Sequence, residues 1–128
     1  QISTMKFLLV LLITMLTVND AFWPFGGLEV DVSIEGTVTC SHDFYARISL
    51  REVDFLQNDD EIDEQAFAPK AGYHTAKYKV SGKAHDSTTW EVEPRLRIEH
   101  NCGGVKQYLC KDYHTDKDLH ATVNVDLT

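Results

Sequence analysis

EVDVSIEGTVTC, residues 29–40, is the stretch on which the fold class turns. Val30, Val32, Ile34, Val38 and Cys40 share one parity, while acids, a serine and threonines fill the other. Such alternation marks a strand with one face in a core and one in water. The pattern recurs along the chain. FYARISLREVDF (residues 44–55) puts Phe44, Ala46, Ile48 and Leu50 inward, then Val53 and Phe55 on the opposite parity, which predicts a bulge near Arg51 and Glu52. TAKYKVSG (75–82) turns Ala76, Tyr78 and Val80 inward, and HATVNVDL (120–127) does the same with Ala121, Val123, Val125 and Leu127. In PRLRIEHNC (94–102), Leu96, Ile98, His100 and Cys102 point one way and Arg95, Arg97 and Glu99 the other.

Between these segments lie polar stretches. NDDEIDE (58–64) reads as a charged turn, and EQAFAPK (64–70) as at best a short edge strand, because Pro69 has no N–H for a ladder. KAHDSTTWE (83–91) fits a loop or one helical turn. Asn101, Gly103 and Gly104 supply a turn after the strand that begins at Pro94. No sustained helical period appears beyond residue 21. Several short strands with polar turns predict an all-β sandwich.

The N-terminus stands apart. Met5 and Lys6 lead into FLLVLLITMLTV (7–18), followed by Ala21, which reads as a secretory signal peptide over residues 5–21, too short to span a membrane comfortably. Residues 1–4 read as upstream translation, residues 22–29 as an aromatic arm, and residues 30–128 as one domain. No other apolar run approaches membrane length. Of the 128 residues 43% are hydrophobic and 25% charged, enough for one core. The chain carries 12 basic and 20 acidic side chains, and losing Lys6 and Asp20 with the leader keeps the net charge at -8. A surface of that sign repels phosphate backbones, so nucleic acid is not an expected partner.

Three cysteines, Cys40, Cys102 and Cys110, enter an oxidising compartment after export, and the odd count leaves one over. His100 and Cys102, two apart on a strand, share a face as a nucleophile and base would. Thiolate chemistry needs a reduced, accessible sulfur, which that compartment disfavours. Six histidines show neither helical i, i+4 pairing nor a Cys-x-x-Cys companion, and NDDEIDE lacks the glycine and distal glutamate of a calcium loop. No catalytic residue, metal or cofactor is assigned.

GTVTC (36–40), NDDEIDE, KYKVSG (77–82) and TTWEVEPRLRIEHNC (88–102), in that order and spacing, resemble the nematode transthyretin-like proteins over roughly residues 30–110. The resemblance implies a transthyretin-like (Ig-like, prealbumin-type) two-sheet β-sandwich, secreted, with extracellular binding roles and no shared catalytic mechanism. It further implies that the strand ending at Cys102 passes through GGVKQYL into a strand of the facing sheet. On that topology Cys102 bonds Cys110, while Cys40 lies near the opposite end of the sandwich. KDYHTDKD after Cys110 is polar where the family has a strongly alternating strand, and a fourth cysteine that members often carry is missing. The related 5-hydroxyisourate hydrolases carry a C-terminal Tyr-Arg-Gly-Ser, and this chain ends VNVDLT.

Two surfaces stand out for binding. Phe22, Trp23 and Phe25 in FWPFGG either pack on the sandwich or form a sticky arm. Lys77, Lys79, Arg95 and Arg97 form a basic strip if their strands are neighbours, and otherwise balance Glu91, Glu93 and Glu99. The functional expectation is a secreted non-enzymatic module recognising a hydrophobic or cell-surface ligand. The alternative is a structural or host-interacting secretory protein that works through contacts with extracellular proteins.

Overall fold

A computed structural model of the chain describes residues 27–53, 60–86 and 91–128. They form strands β1 (Leu28–Thr39), β2 (Ala46–Glu52), β3 (Asp60–Phe67), β4 (Thr75–Asp86), β5 (Pro94–His100), β6 (Gln107–Asp112), β7 (Leu119–Thr122) and β8 (Val125–Asp126). One sheet has the order β4-β1-β7, with β8 pairing further along β1; the other has the order β3-β2-β5-β6. The two sheets pack face to face as a β-sandwich. Among the described residues no helix is long and apolar enough to cross a membrane.

The inward parities are as expected. Val30, Val32, Ile34, Val38 and Cys40 meet Ile48, Leu50, Leu96 and Ile98 in one core with Phe44, Tyr78 and Val80. Ala121, Val123, Val125 and Leu127 pack against that core while half-buried. β1 begins at Leu28, so the last two residues assigned to the arm belong to the sheet.

β1 carries a close backbone crossing. A side chain at Gly36 would run into the Val123 carbonyl, which occupies the place where its Cβ would stand. That carbonyl interrupts the C-terminal strand between β7 and β8, and Asn124 Oδ1 there accepts from the Thr37 N–H at 3.0 Å. The Tyr78 hydroxyl donates to the same carbonyl at 2.7 Å, and burial, with Tyr113 adding to it, pushes its pKa up to about 12.

Four local expectations are corrected. The acidic run is a strand from Asp60 onward, because its acids lie across from arginines: Arg51 pairs with Glu61 in register, and the Arg47 Nε meets Glu64 Oε1 at 2.9 Å. The bulge exists, but β3 carries the extra residue: Leu50 pairs with Asp63 and Arg51 with Glu61, leaving Ile62 over. β2 continues unbroken against β5, so Glu52 keeps the inward parity at 3% exposure and accepts from the Glu93 N–H at 3.2 Å. Val53 lies past the strand end, and Phe55 lies outside the described residues. Residues 83–86 of the polar KAHD segment extend β4. Finally, β6 does not cross to the facing sheet. Gly103 and Gly104, both at φ 88°, reverse the chain, and β6 returns antiparallel beside β5.

That reversal overturns the Cys102–Cys110 bond. Cys110 lands opposite Arg97, on the solvent face of β6, and is free and exposed. Cys102 instead bonds Cys40 across the two sheets, with α-carbons 5.9 Å apart. The two meet because residues 40–45 carry the chain directly from the end of β1 to the start of β2, and Ala46 of β2 pairs with His100 at the end of β5. The ends of β1 and β5 therefore lie together, with both sulfurs on inward parity.

Candidate ligand site

The basic strip does not form. Lys77 and Lys79 lie on the outer face of the first sheet, opposite Thr37 and Glu35, whereas Arg95 and Arg97 lie on the outer face of the second. The arginines are engaged where they stand. Arg95 donates to both oxygens of Asp112, at 2.6 and 3.1 Å, and holds that carboxyl below the usual range, while the Arg97 guanidinium stacks 4.4 Å from the Tyr108 ring. Lys77 and Lys79 flank an open cavity of about 480 Å³ shared with Glu35, Asp63 and Glu64, so charges of both signs line it. Phe22, Trp23 and Phe25 lie outside the described residues.

His100 and Cys102 are no nucleophile pair. The sulfur is bonded to Cys40, and the buried imidazole accepts the Cys102 N–H on Nδ1 at 3.2 Å. Burial lowers the His100 pKa, favouring the neutral ring this hydrogen bond requires. Among the described residues no group of three or more His, Cys, Asp or Glu side chains could hold a metal ion.

An apolar cavity opens at the disulfide end instead. Phe67 is the last residue of β3, Thr75 and Ala76 begin β4, and Phe44 precedes β2, so two sheets and the loop 68–74 converge there. The loop has defined anchors. The Tyr73 N–H donates to the Lys70 carbonyl at 3.0 Å across a turn with Gly72 at φ 80°, as a type II turn requires. Asp43 Oδ1 accepts from the Gly72 N–H at 3.2 Å and lies 3.1 Å from His74 Nε2. The Cys40 N–H donates to the His74 carbonyl at 2.9 Å and ties the loop to the disulfide.

These anchors border a half-open cavity of about 280 Å³. Phe44 forms its buried wall at 5% exposure and Phe67 a second wall, while Tyr73, 59% exposed, stands at its rim. Lys70 places its ammonium 4.4 Å from the Tyr73 ring centre. Among the described residues no carboxylate lines it. Although the mixed-charge cavity is larger, an apolar wall with few polar groups is the commoner character of a small-molecule site. Of the lining residues the sequence singles out only Phe44 and Ala76, both as core. The remaining signal is an aromatic next to a turn glycine in APKAGYHT, which becomes meaningful once Phe44 and Phe67 are known to lie beneath it.

Comparison with curated proteins returns no match, and neither does comparison with solved structures. Residues 32–128 match the family described as "Caenorhabditis elegans protein of unknown function (DUF870)", and the chain belongs to that family.

Proposed function

We propose that the protein is a secreted, non-enzymatic binding module of the transthyretin-like type that takes a small hydrophobic ligand in the cavity between Phe44, Phe67 and Tyr73. The observation that carries this reading is the cavity itself: aromatic walls from two sheets, bordered by a loop that hydrogen bonds hold in place. Burying an apolar body there gains about 25 cal/mol for each Å² of apolar surface taken out of water, without the desolvation of a carboxylate. The leader at residues 5–21 and a disulfide joining the two sheets support export. The ordered motifs from Gly36 to Cys102, in a two-sheet all-β domain, support the transthyretin-like assignment.

The test is a titration of the oxidised chain with 1-octanol, followed by NMR. Saturable shift changes confined to Phe44, Phe67 and Tyr73 are expected, and they should vanish in Ala68→Trp, which fills the cavity from an exposed position. Unsaturable binding, or binding unchanged in that variant, removes the reading. Export is checked separately by mass spectrometry of the secreted product, which should begin near Phe22; secreted material that retains Met5 would contradict it.

A further inference from the structure

We infer that the cavity selects a small monocarboxylate: an apolar body of roughly ten non-hydrogen atoms, seated on Phe44 and Phe67, with its carboxylate at Lys70. This rests on the reading of the cavity as a ligand site and adds the polarity of the ligand to it. The size follows from the volume. At about 30 Å³ per water, 280 Å³ holds roughly nine waters, the bulk of a chain of eight carbons and its polar head.

The charge follows from the lining. In a chain of net charge -8, this cavity has, among the described residues, a lysine and no acid on its wall. Lys70 forms no ion pair among the described residues; its ammonium rests near the Tyr73 ring, which holds it close to the apolar wall. The neighbouring Asp43 directs Oδ1 to Gly72 and His74. A cationic ligand would find no counter-charge on this wall, and a neutral one would leave the ammonium unused. The general acidity of the surface does not forbid an anion here, because charges more than about 8 Å away are largely screened at physiological salt. The larger cavity has Lys77 and Lys79 on its wall, but Glu35, Asp63 and Glu64 outnumber them there and leave it net acidic.

The experiment titrates the full oxidised chain with sodium octanoate and, in parallel, 1-octanol in 0.15 M salt, by NMR and calorimetry. Both should bind at Phe44 and Tyr73, octanoate about tenfold more tightly, as one charge-assisted contact at a partly exposed site gives. Lys70→Met keeps the length of the exposed stem while deleting the charge. It should abolish the octanoate advantage, leave octanol affinity unchanged, and leave the denaturation midpoint where it was. If octanol binds and octanoate binds no better, or the advantage survives Lys70→Met, the carboxylate assignment is overturned while the hydrophobic-ligand reading stands. If neither probe binds, both are overturned.

Discussion

On one flank of the sandwich β3 of one sheet lies beside β4 of the other, and side chains of β3 bond the backbone of β4. On the opposite flank β6 stands as an edge strand with all six of its residues exposed. Both are edges, with the same liability of unpaired N–H and C=O groups. The difference lies in what parity brings inward. Past the Ile62 bulge, β3 turns Asp63 and Gln65 toward the facing sheet, where Gln65 Oε1 accepts from the Lys79 N–H and Asp63 Oδ2 from the Ser81 N–H, both at 2.9 Å. Ile62 packs against Gly82, filling the space where a β-carbon would stand. Among the described residues β6 has no such cover. It has charge at its end, where Lys111 and Asp112 follow Tyr108, Leu109 and the free Cys110. One acid of the run that reads as a solvated turn, Asp63, is thus part of a seam between sheets. A polar side chain on inward parity is no error when a strand edge of the facing sheet needs an acceptor.

Removing the covalent link asks whether the β3–β4 seam holds the sheets together unaided. The Cys40–Cys102 bond spans 62 residues, so on the chain-entropy model the double replacement Cys40→Ala, Cys102→Ala should lower stability by about 4 kcal/mol in urea unfolding. A loss under about 1 kcal/mol would mean the seam suffices. Gly36→Ala and Gly82→Ala contrast two close approaches. The first meets backbone at Val123 and should cost about 3 kcal/mol; the second meets the Ile62 side chain, which can rotate away, and should cost roughly 1 kcal/mol. Equal costs would show that Ile62 is as immovable as the Val123 carbonyl.

Asp63→Ala tests the seam itself. It leaves the Ser81 N–H without its acceptor, with an expected loss of about 1 kcal/mol and faster aggregation of the native protein by light scattering. Unchanged aggregation would place the hazard on the β6 flank. His100 reports on the disulfide end through pH. Its folded pKa lies below the ordinary 6.5, so below that value the unfolded chain binds the proton that the native ring refuses. Stability should therefore be whole above pH 6.5 and decline as pH falls below it, more steeply than in His100→Gln, as urea midpoints between pH 7 and 5 will show. The smallest effect belongs to β6. Alkylating exposed Cys110 should shift the native protein's stability by no more than about 0.5 kcal/mol, whereas a larger loss would mean that β6 packs more tightly than its exposure indicates.

Much of the core was legible from period two. Val30 to Cys40, Ala46 to Leu50 and Leu96 to Cys102 face inward as their parity requires, because side-chain direction along a strand is a local property. The cavity was not, since Phe44, Phe67, Lys70 and Tyr73 come together only when the ends of β3 and β4 and the approach to β2 meet at one rim. Glu52 was missed for a related reason: β2 keeps its register with β5, and that pairing, not the preference of a carboxylate for water, settles which way the residue points.

By itself the sequence determined which face of each strand is buried and that both Cys40 and Cys102 point into the core. The tertiary structure decided that Cys102 meets Cys40 and leaves Cys110 in solvent, and that an acidic run is a strand bonding a foreign edge. Those outcomes depend on which strands are neighbours and where their ends fall. Alternation cannot encode that: a strand has the same inward face whether the next one pairs beside it or crosses to the other sheet.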